Sequence, residues 1–419
     1  MSNAILESMK TNTFLILIAF FLLQSVHGQT KYPMWKEGEM EIHHINTGRC
    51  ESVFYIFPDG TTMIGDAGAS GTEAKSDPRI PPHLPDDSRQ PGEWIARYIL
   101  MHLPSPDKKE IDYFLLTHFH GDHMGQVSDD MPKTKKGGDY LLSGLTEVAE
   151  YIQFKKLVDR DFPSYNYPIP LGGKTMENYK SFVKWTTQNT NMKIERFVPG
   201  SNEQFVLVKN PGKYAKVFEV RNLVANGEVW TGVGNQTKKF FPETDRQSIN
   251  ENKCCSGIRI SYGKFDYFNG GDISGKLPFN SKEQWRDIER PVGEVAGPVE
   301  VCKANHHAFV DAMSDYFISC VQPQVFVINV CHVSHINLET LKDMTNKGIY
   351  PGDRDIFATN FPEISRQYLG EQNIQRYKNG DGHVVIKVEP GGNRYHVYLL
   401  DATNESFSVK AVYGPYTCR

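Results

Sequence analysis

The run Leu115-Leu116-Thr117-His118-Phe119-His120-Gly121-Asp122-His123 places three imidazoles and a carboxylate directly behind an apolar stretch, Ile111 to Leu116, that reads as a buried strand. Alternate side chains at a strand end share a face, so His118 and His120 can aim at one point while Asp122 and His123 follow around the turn at Gly121. Imidazole nitrogen and carboxylate oxygen in so compact a set suit one or two Zn²⁺-like ions. A lone histidine carries no such implication; four ligand-type residues at this spacing do. Later stretches add chemistry of the same kind: Gly271-Asp272 after a hairpin, Lys303 to His307 with its histidine pair, and Cys331 to His335.

Taken in order, His-x-His-x-Asp-His, Gly-Asp and His resemble the signature of the metallo-β-lactamase superfamily of metal-dependent hydrolases. The resemblance implies an α/β fold, a four-layer αββα sandwich, with a large insertion at approximately 127–250 inside a single domain of residues 29–419. It implies that His118 and His120 hold a first ion, that Asp122, His123 and His307 hold a second, and that Asp272 bridges them. His307 is preferred because the ligand in this family usually abuts a small residue, here Ala308; His306 is the alternative. The Asp66-Ala67-Gly68 turn is similar to the family's opening motif, in which the Asp buttresses the metal loop without binding metal.

No residue from Met124 to Gly271 is a histidine, whereas lactamases and glyoxalases carry a further His ligand in that interval. This absence resembles the branch containing the hydrolase domain of the DNA-uptake competence protein and related secreted phosphodiesterases. Thr47-Gly48-Arg49, Pro58-Asp59-Gly60, Asn252 to Ser256 and Lys303 to His307 are similar to the same branch. Ala308 stands where that branch usually has Gly, and Cys50 departs from its tight turn.

Two Zn²⁺ ions, with Mn²⁺ or Fe²⁺ as alternatives, would supply a hydroxide nucleophile from water near neutral pH. The expected catalytic set is Asp122 and Asp272, with His335 as candidate acid and Lys303 adding positive charge if it reaches the cleft. With one His ligand fewer, the first ion keeps an open position that suits a substrate bringing its own oxygen, such as a phosphoryl group. The main expectation is a secreted metal-dependent hydrolase, a phosphodiesterase. Hydrolysis of a lactone, thioester or β-lactam is one alternative; an inactive metal-stabilised binding protein is another, against which intact Asp122 and Asp272 speak.

The elements that must position these groups are legible as patterns. Met40 to Ile45, Ser52 to Phe57 and Thr62 to Ile64 read as strands, with a turn at Pro58-Asp59-Gly60. Glu93 to Leu103 has helical spacing and stops at Pro104. The motif then falls at the C-terminal end of its strand, where open α/β sheets keep their sites. Leu145 to Phe154 and Thr175 to Thr187 read as helices, with strands near Phe205 and Phe218. Ile258 to Phe268 is a hairpin about Gly263-Lys264, followed by a helix with Trp285 and Ile288 and strands at Val299 to Ala304 and Gln324 to Val330. Gly382 to Val388 and Tyr395 to Leu400 are the final strands.

A chain of 419 residues can bury a large core, and 39% hydrophobic with 23% charged residues describes a soluble protein. The net charge of −4 gives no basic face for a polyanion, so nucleic acid is unsupported and a small molecule or short phosphodiester is the expected substrate. Phe14 to Val26 is an apolar run behind Lys10, with Val26-His27-Gly28 as a cleavage site before Gln29. Residues 1–28 therefore read as a signal peptide, and the mature chain as secreted or periplasmic with no stable membrane partner. Seven cysteines without a Cys-x-x-Cys spacing argue against a disulfide framework; one or two bridges could form, and Cys254, Cys255 and Cys302 read as buried small hydrophobes.

Overall fold

The computed structural model describes residues 30–49, 51–70, 77–378 and 381–419. The leader expected at 1–28 and the departure at Cys50 lie outside the described residues.

Alternation of apolar side chains builds the architecture. Val53 and Tyr55 of β2 (Val53–Ile56) face one way into a core shared with the second sheet, while Phe54 and Ile56 face helices on the other side. In β4 (Glu110–Leu115), Tyr113 and Leu115 belong to the inter-sheet core, and Ile111 and Phe114 to the helix side. Strands apolar on both faces must be covered on both faces.

The first sheet contains β1 (Met40–His44), β2, β3 (Thr62–Gly65), β4, β5 (Gln153–Asp159), β6 (Lys193–Arg196), and, from the end of the chain, β15 (His383–Val388), β16 (Arg394–Leu400) and β17 (Val409–Thr417). Their order is β17-β16-β15-β1-β2-β3-β4-β5-β6. The second sheet contains β7 (Phe218–Ala225), β8 (Glu228–Trp230), β9 (Thr237–Lys239), β10 (Gly257–Tyr262), β11 (Phe265–Asn269), β12 (Val301–Lys303), β13 (Val325–Ile328) and β14 (Asp355–Ala358), in the order β14-β13-β12-β11-β10-β7-β8-β9.

Three cores separate four layers. One lies between the sheets; a second packs helices Pro91–His102, Leu145–Tyr151 and Lys174–Asn189 on the first sheet; a third packs Glu289–Ala296, Asp315–Val321 and Leu338–Thr345 on the second. The fold is the αββα sandwich expected from the sequence. The stretch 127–250, read as an insertion, supplies β5 and β6 to one sheet and β7, β8 and β9 to the other. It is woven into the framework.

Both sheets are mixed. β3, β4, β5 and β6 run parallel, and so do β11, β12, β13 and β14. The loops at the carboxyl ends of these two parallel sets carry the histidine and aspartate motifs, which places the chemistry at the shared edge of the sandwich.

Several expected elements differ. The helix at Leu145 stops at Tyr151, because Phe154 and Leu157 already belong to β5, paired parallel with β4. No strand forms at Phe205, whose ring instead packs on Tyr113 in the inter-sheet core. Trp285 sits in a single 3₁₀ turn, and the helix begins at Glu289. A further edge strand, β17, follows β16; much of it is exposed, so its residues carry no apolar alternation to reveal it.

Candidate metal centre

β3 runs into Asp66, and β4 into Thr117 and His118. Asp66 adopts φ +59 and accepts hydrogen bonds from the Thr117 N–H (2.8 Å) and hydroxyl (2.7 Å) and from His123 Nδ1 (2.8 Å). It therefore ties the end of β3 to the histidine-bearing loop after β4. Gly68 allows the two loops to touch: a Cβ there would lie 1.9 Å from the Asp122 carbonyl oxygen.

From the other sheet, Asp272 follows β11 across Gly271 (φ +59), and His307 follows β12. Asp122, His123, Asp272 and His307 each offer a ligand atom, all within 4.8 Å of one another. His118 and His120 lie beside this group, His118 Nε2 3.1 Å from His120 Nδ1 and 4.0 Å from Asp272 Oδ2. The same Asp272 Oδ2 is 3.1 Å from His123 Nε2 and 3.4 Å from His307 Nε2. One carboxylate oxygen is thus within 4.0 Å of nitrogens of three imidazoles.

The donor chemistry fits a cation. The Asn329 carbonyl, 2.9 Å from His307 Nδ1, can only accept, so that nitrogen carries the hydrogen. His123 Nδ1 likewise donates to Asp66. Both histidines therefore present Nε2 lone pairs, 3.2 Å apart and facing a carboxylate oxygen. Such converging acceptors repel unless a metal ion or a proton lies among them. Burial works against charge on His123, but Asp272, Asp66 and Asp122 outweigh it and hold its pKa well above the ordinary value. Burial likewise opposes the charged form of Asp272, yet His123, His307 and Lys303 keep its carboxyl well below the usual range. Burial and the neighbouring imidazoles of His123 and His120 push His118 well down, leaving it a neutral ligand. A metal ion here competes with one proton on the His123 side.

Other expected residues fall elsewhere. His306, the alternative ligand, turns away from the group: its Nδ1 faces Asp311 at 2.6 Å and its Nε2 faces Asn252 at 3.0 Å. His306, His307 and Ala308 have φ of +46, +51 and +61, and this left-handed run turns the adjacent imidazoles in different directions. Lys303 does not reach the cleft. It is fully buried, donates to the Gly271 carbonyl at 2.8 Å, and lies 3.4 Å from Asp272 Oδ1 and 3.5 Å from Glu51. Its charge acts on the carboxylate from behind. His335 stacks on His307 with ring centroids 4.5 Å apart and planes at 10°. Its Nδ1 faces the Cys331 N–H at 3.4 Å, so its hydrogen sits on Nε2. Burial and His307 push its pKa well down. Cys331 is disulfide-bonded, and Cys254, Cys255, Cys302, Cys320 and Cys418 are free.

Sequence reading missed the supporting groups. Glu51 is fully buried behind Lys303 and His307, and Thr117 links Asp66 to the motif. Asn252 to Ser256, singled out for its resemblance alone, and the adjacent Glu251 hold the backbone on both sides of the site. Glu251 accepts from the Phe119 N–H (2.9 Å), Cys255 Sγ accepts from the Asp272 N–H (3.2 Å), and the Ser256 N–H donates to the Thr117 carbonyl (2.9 Å).

No family model matches the chain. Over 65 residues, 16% of this chain and 24% of the relative, it is 37% identical to a UPF0173 metal-dependent hydrolase of Staphylococcus carnosus (strain TM300). The match thus spans about a quarter of that protein's length. Among solved structures, the chain is similar to a mutant of CmlA beta-hydroxylase, with a TM-score of 0.39 and 12% identity over 78% of this chain and 53% of that one. It is also similar to a protein of Parabacteroides distasonis ATCC 8503 described as a metal-dependent hydrolase, with a TM-score of 0.35 and 11% identity over 77% of this chain and 96% of that one.

Proposed function

We propose that this chain is a metal-dependent hydrolase that holds two divalent ions and cleaves phosphodiesters. The observation that carries the reading is Asp272 Oδ2, which lies 4.0 Å from His118 Nε2, 3.1 Å from His123 Nε2 and 3.4 Å from His307 Nε2. Divalent ions held by these residues supply Lewis-acid activation and a nucleophile drawn from water near neutral pH.

The remaining work falls to the protein. Lys303 fixes Asp272 Oδ1 and so leaves Oδ2 turned inward. Asp122 is the most open member of the group, its side chain 27% exposed, and marks the solvent side. His335, neutral and bearing its hydrogen on Nε2, is the donor available to a leaving oxygen. The stretch from Met124 to Gly271 contributes no imidazole to the His118–His120 side. A phosphodiester suits that arrangement better than a β-lactam, because its anionic oxygen can complete the coordination of an ion with few protein ligands.

Side-by-side kinetics with added Zn²⁺ or Mn²⁺ test the reading: bis-p-nitrophenyl phosphate should turn over far faster than nitrocefin or a lactone. The reverse ranking would sink the phosphodiesterase assignment. We further propose export with removal of residues 1–28, on the apolar run Phe14 to Val26; mass spectrometry of exported protein starting elsewhere than Gln29 would overturn the proposed cleavage.

A further inference from the structure

We propose that Arg160 and Glu251 form a positioning clamp that presets His118 and His120 for the first of the two ions; this rests on the two-ion reading above. Phe119 is the residue between those histidines, and both its backbone and its ring are held by the same pair. Its N–H donates to Glu251 Oε1 at 2.9 Å. Its ring lies 4.7 Å from the Arg160 guanidinium carbon and makes aromatic contacts with Tyr165 at 5.9 Å and Tyr179 at 5.6 Å.

Arg160 directly follows β5, and its side chain is fully buried. Its Nε donates to Glu251 Oε1 at 2.8 Å, and its Nη1 donates to the Tyr167 carbonyl and to Asn226 Oδ1, both at 2.9 Å. Tyr165 and Tyr179 are pinned in turn, both hydroxyls donating to Asp159 Oδ2, at 2.9 and 2.8 Å. A buried ion pair is a weak source of net stability compared with apolar residues of the same volume. What this pair contributes is orientation.

The first half-site has particular use for it. Four groups among the described residues converge on the Asp122 side, whereas the carboxylate oxygen nearest the His118–His120 pair, Asp272 Oδ2, lies 4.0 Å from His118 Nε2. With fewer ligands, retention of an ion depends more on how well the loop already holds its two imidazoles, whose ligand atoms are 3.1 Å apart. Phe119 joins their backbones, so fixing it fixes both.

The test compares wild type with R160M/E251Q and R160M/E251M in Co²⁺ titrations of chelator-treated protein, read by equilibrium dialysis and visible absorption. Glu251→Gln keeps a carbonyl acceptor for the Phe119 N–H; Glu251→Met removes it. Wild type should bind two ions; R160M/E251Q, which keeps the acceptor but lacks the guanidinium against the Phe119 ring, should bind the weaker ion less tightly than wild type and more tightly than R160M/E251M. R160M/E251M should keep the tighter ion and lose about 10–100-fold in affinity for the weaker. Unchanged affinities, or equal loss for both ions, would overturn the clamp. A wild type that takes a single ion would instead overturn the two-ion reading. If R160M/E251M does not fold, Phe119→Leu supplies the contrast, since it removes the ring contact and leaves the ion pair intact; unchanged binding of both ions there also overturns the clamp.

Discussion

Asp272 offers its two oxygens to opposite tasks: Oδ1 faces the Lys303 ammonium at 3.4 Å, and Oδ2 faces three imidazole nitrogens. Lys303 is buried among Asp272, Glu51 and the Gly271 carbonyl, and although burial alone would lower its pKa, Glu51 and Asp272 raise it, so it stays charged. The ammonium is therefore the counter-ion of two buried carboxylates. Lys303→Met should destabilise the chain by about 3–5 kcal/mol, the range for removing one partner of a buried ion pair. Adding Glu51→Gln should restore part of that loss, because it removes one of the two carboxylates left without a cation. Chemical denaturation of the single and double variants decides it: a double variant no more stable than Lys303→Met would mean Glu51 is not coupled to Lys303. The pairing itself was not legible in the sequence. The histidine motif His118 to His123 is contiguous and announces itself, but Glu51 and Lys303 meet only when β1 to β3 and β12 come together. Arg160 and Glu251 are 91 positions apart, and no motif joins them.

At the scale of elements, helix Pro91–His102 and strands β1 and β15 enclose a second set of histidines remote from the metal centre. His43 bridges Tyr98 (2.8 Å) and Glu41 (2.9 Å), His102 Nδ1 donates to the Tyr98 carbonyl (2.8 Å), and His383 Nδ1 accepts from the Asn46 N–H (3.0 Å). Burial, with His43 beside it, pushes His102 down to about 3; burial, with His102 and His43 nearby, pushes His383 well below its ordinary range. Both remain neutral in the folded chain but take up protons near pH 6.5 when unfolded. Stability is therefore full above about pH 6.5 and falls as the pH drops below it toward the folded pKa values. At pH 5 the His102 imidazole should cost about 2 kcal/mol, and His383 adds a loss of the same sign. His383→Gln should flatten the fall between pH 7 and 5; denaturation curves with the same pH slope as wild type would remove His383 from this role. The sequence showed these elements well, through period-two and helical spacing, because each has a clean buried face. It failed where packing overrides pattern. Phe205 reads as strand but fills the inter-sheet core from a loop, and β17, largely exposed at a sheet edge, has no apolar alternation to read.

The two half-sandwiches meet at the proposed metal centre: Asp122 and His123 follow β4 of one sheet, and Asp272 and His307 follow β11 and β12 of the other. An ion bound there links the two sheets directly. Because the unfolded chain does not preserve this geometry, metal binding adds to folding stability by mass action, about 2.7 kcal/mol at a free concentration a hundredfold above Kd. The effect should depend on pH, since His123 holds a proton strongly and must lose it to solvent before that nitrogen can bind an ion. Adding Zn²⁺ to chelator-treated protein should therefore raise Tm, and the increment should shrink as the pH falls. Asp272→Ala should abolish most of that increment and lower activity by about two to three powers of ten, because one oxygen serves both sets of histidines. Scanning calorimetry with and without Zn²⁺ at two pH values separates the contributions. A Zn²⁺-induced rise in Tm that is undiminished in Asp272→Ala would show that the ion binds elsewhere, and the link between the sheets would then have to be carried by the inter-sheet core alone.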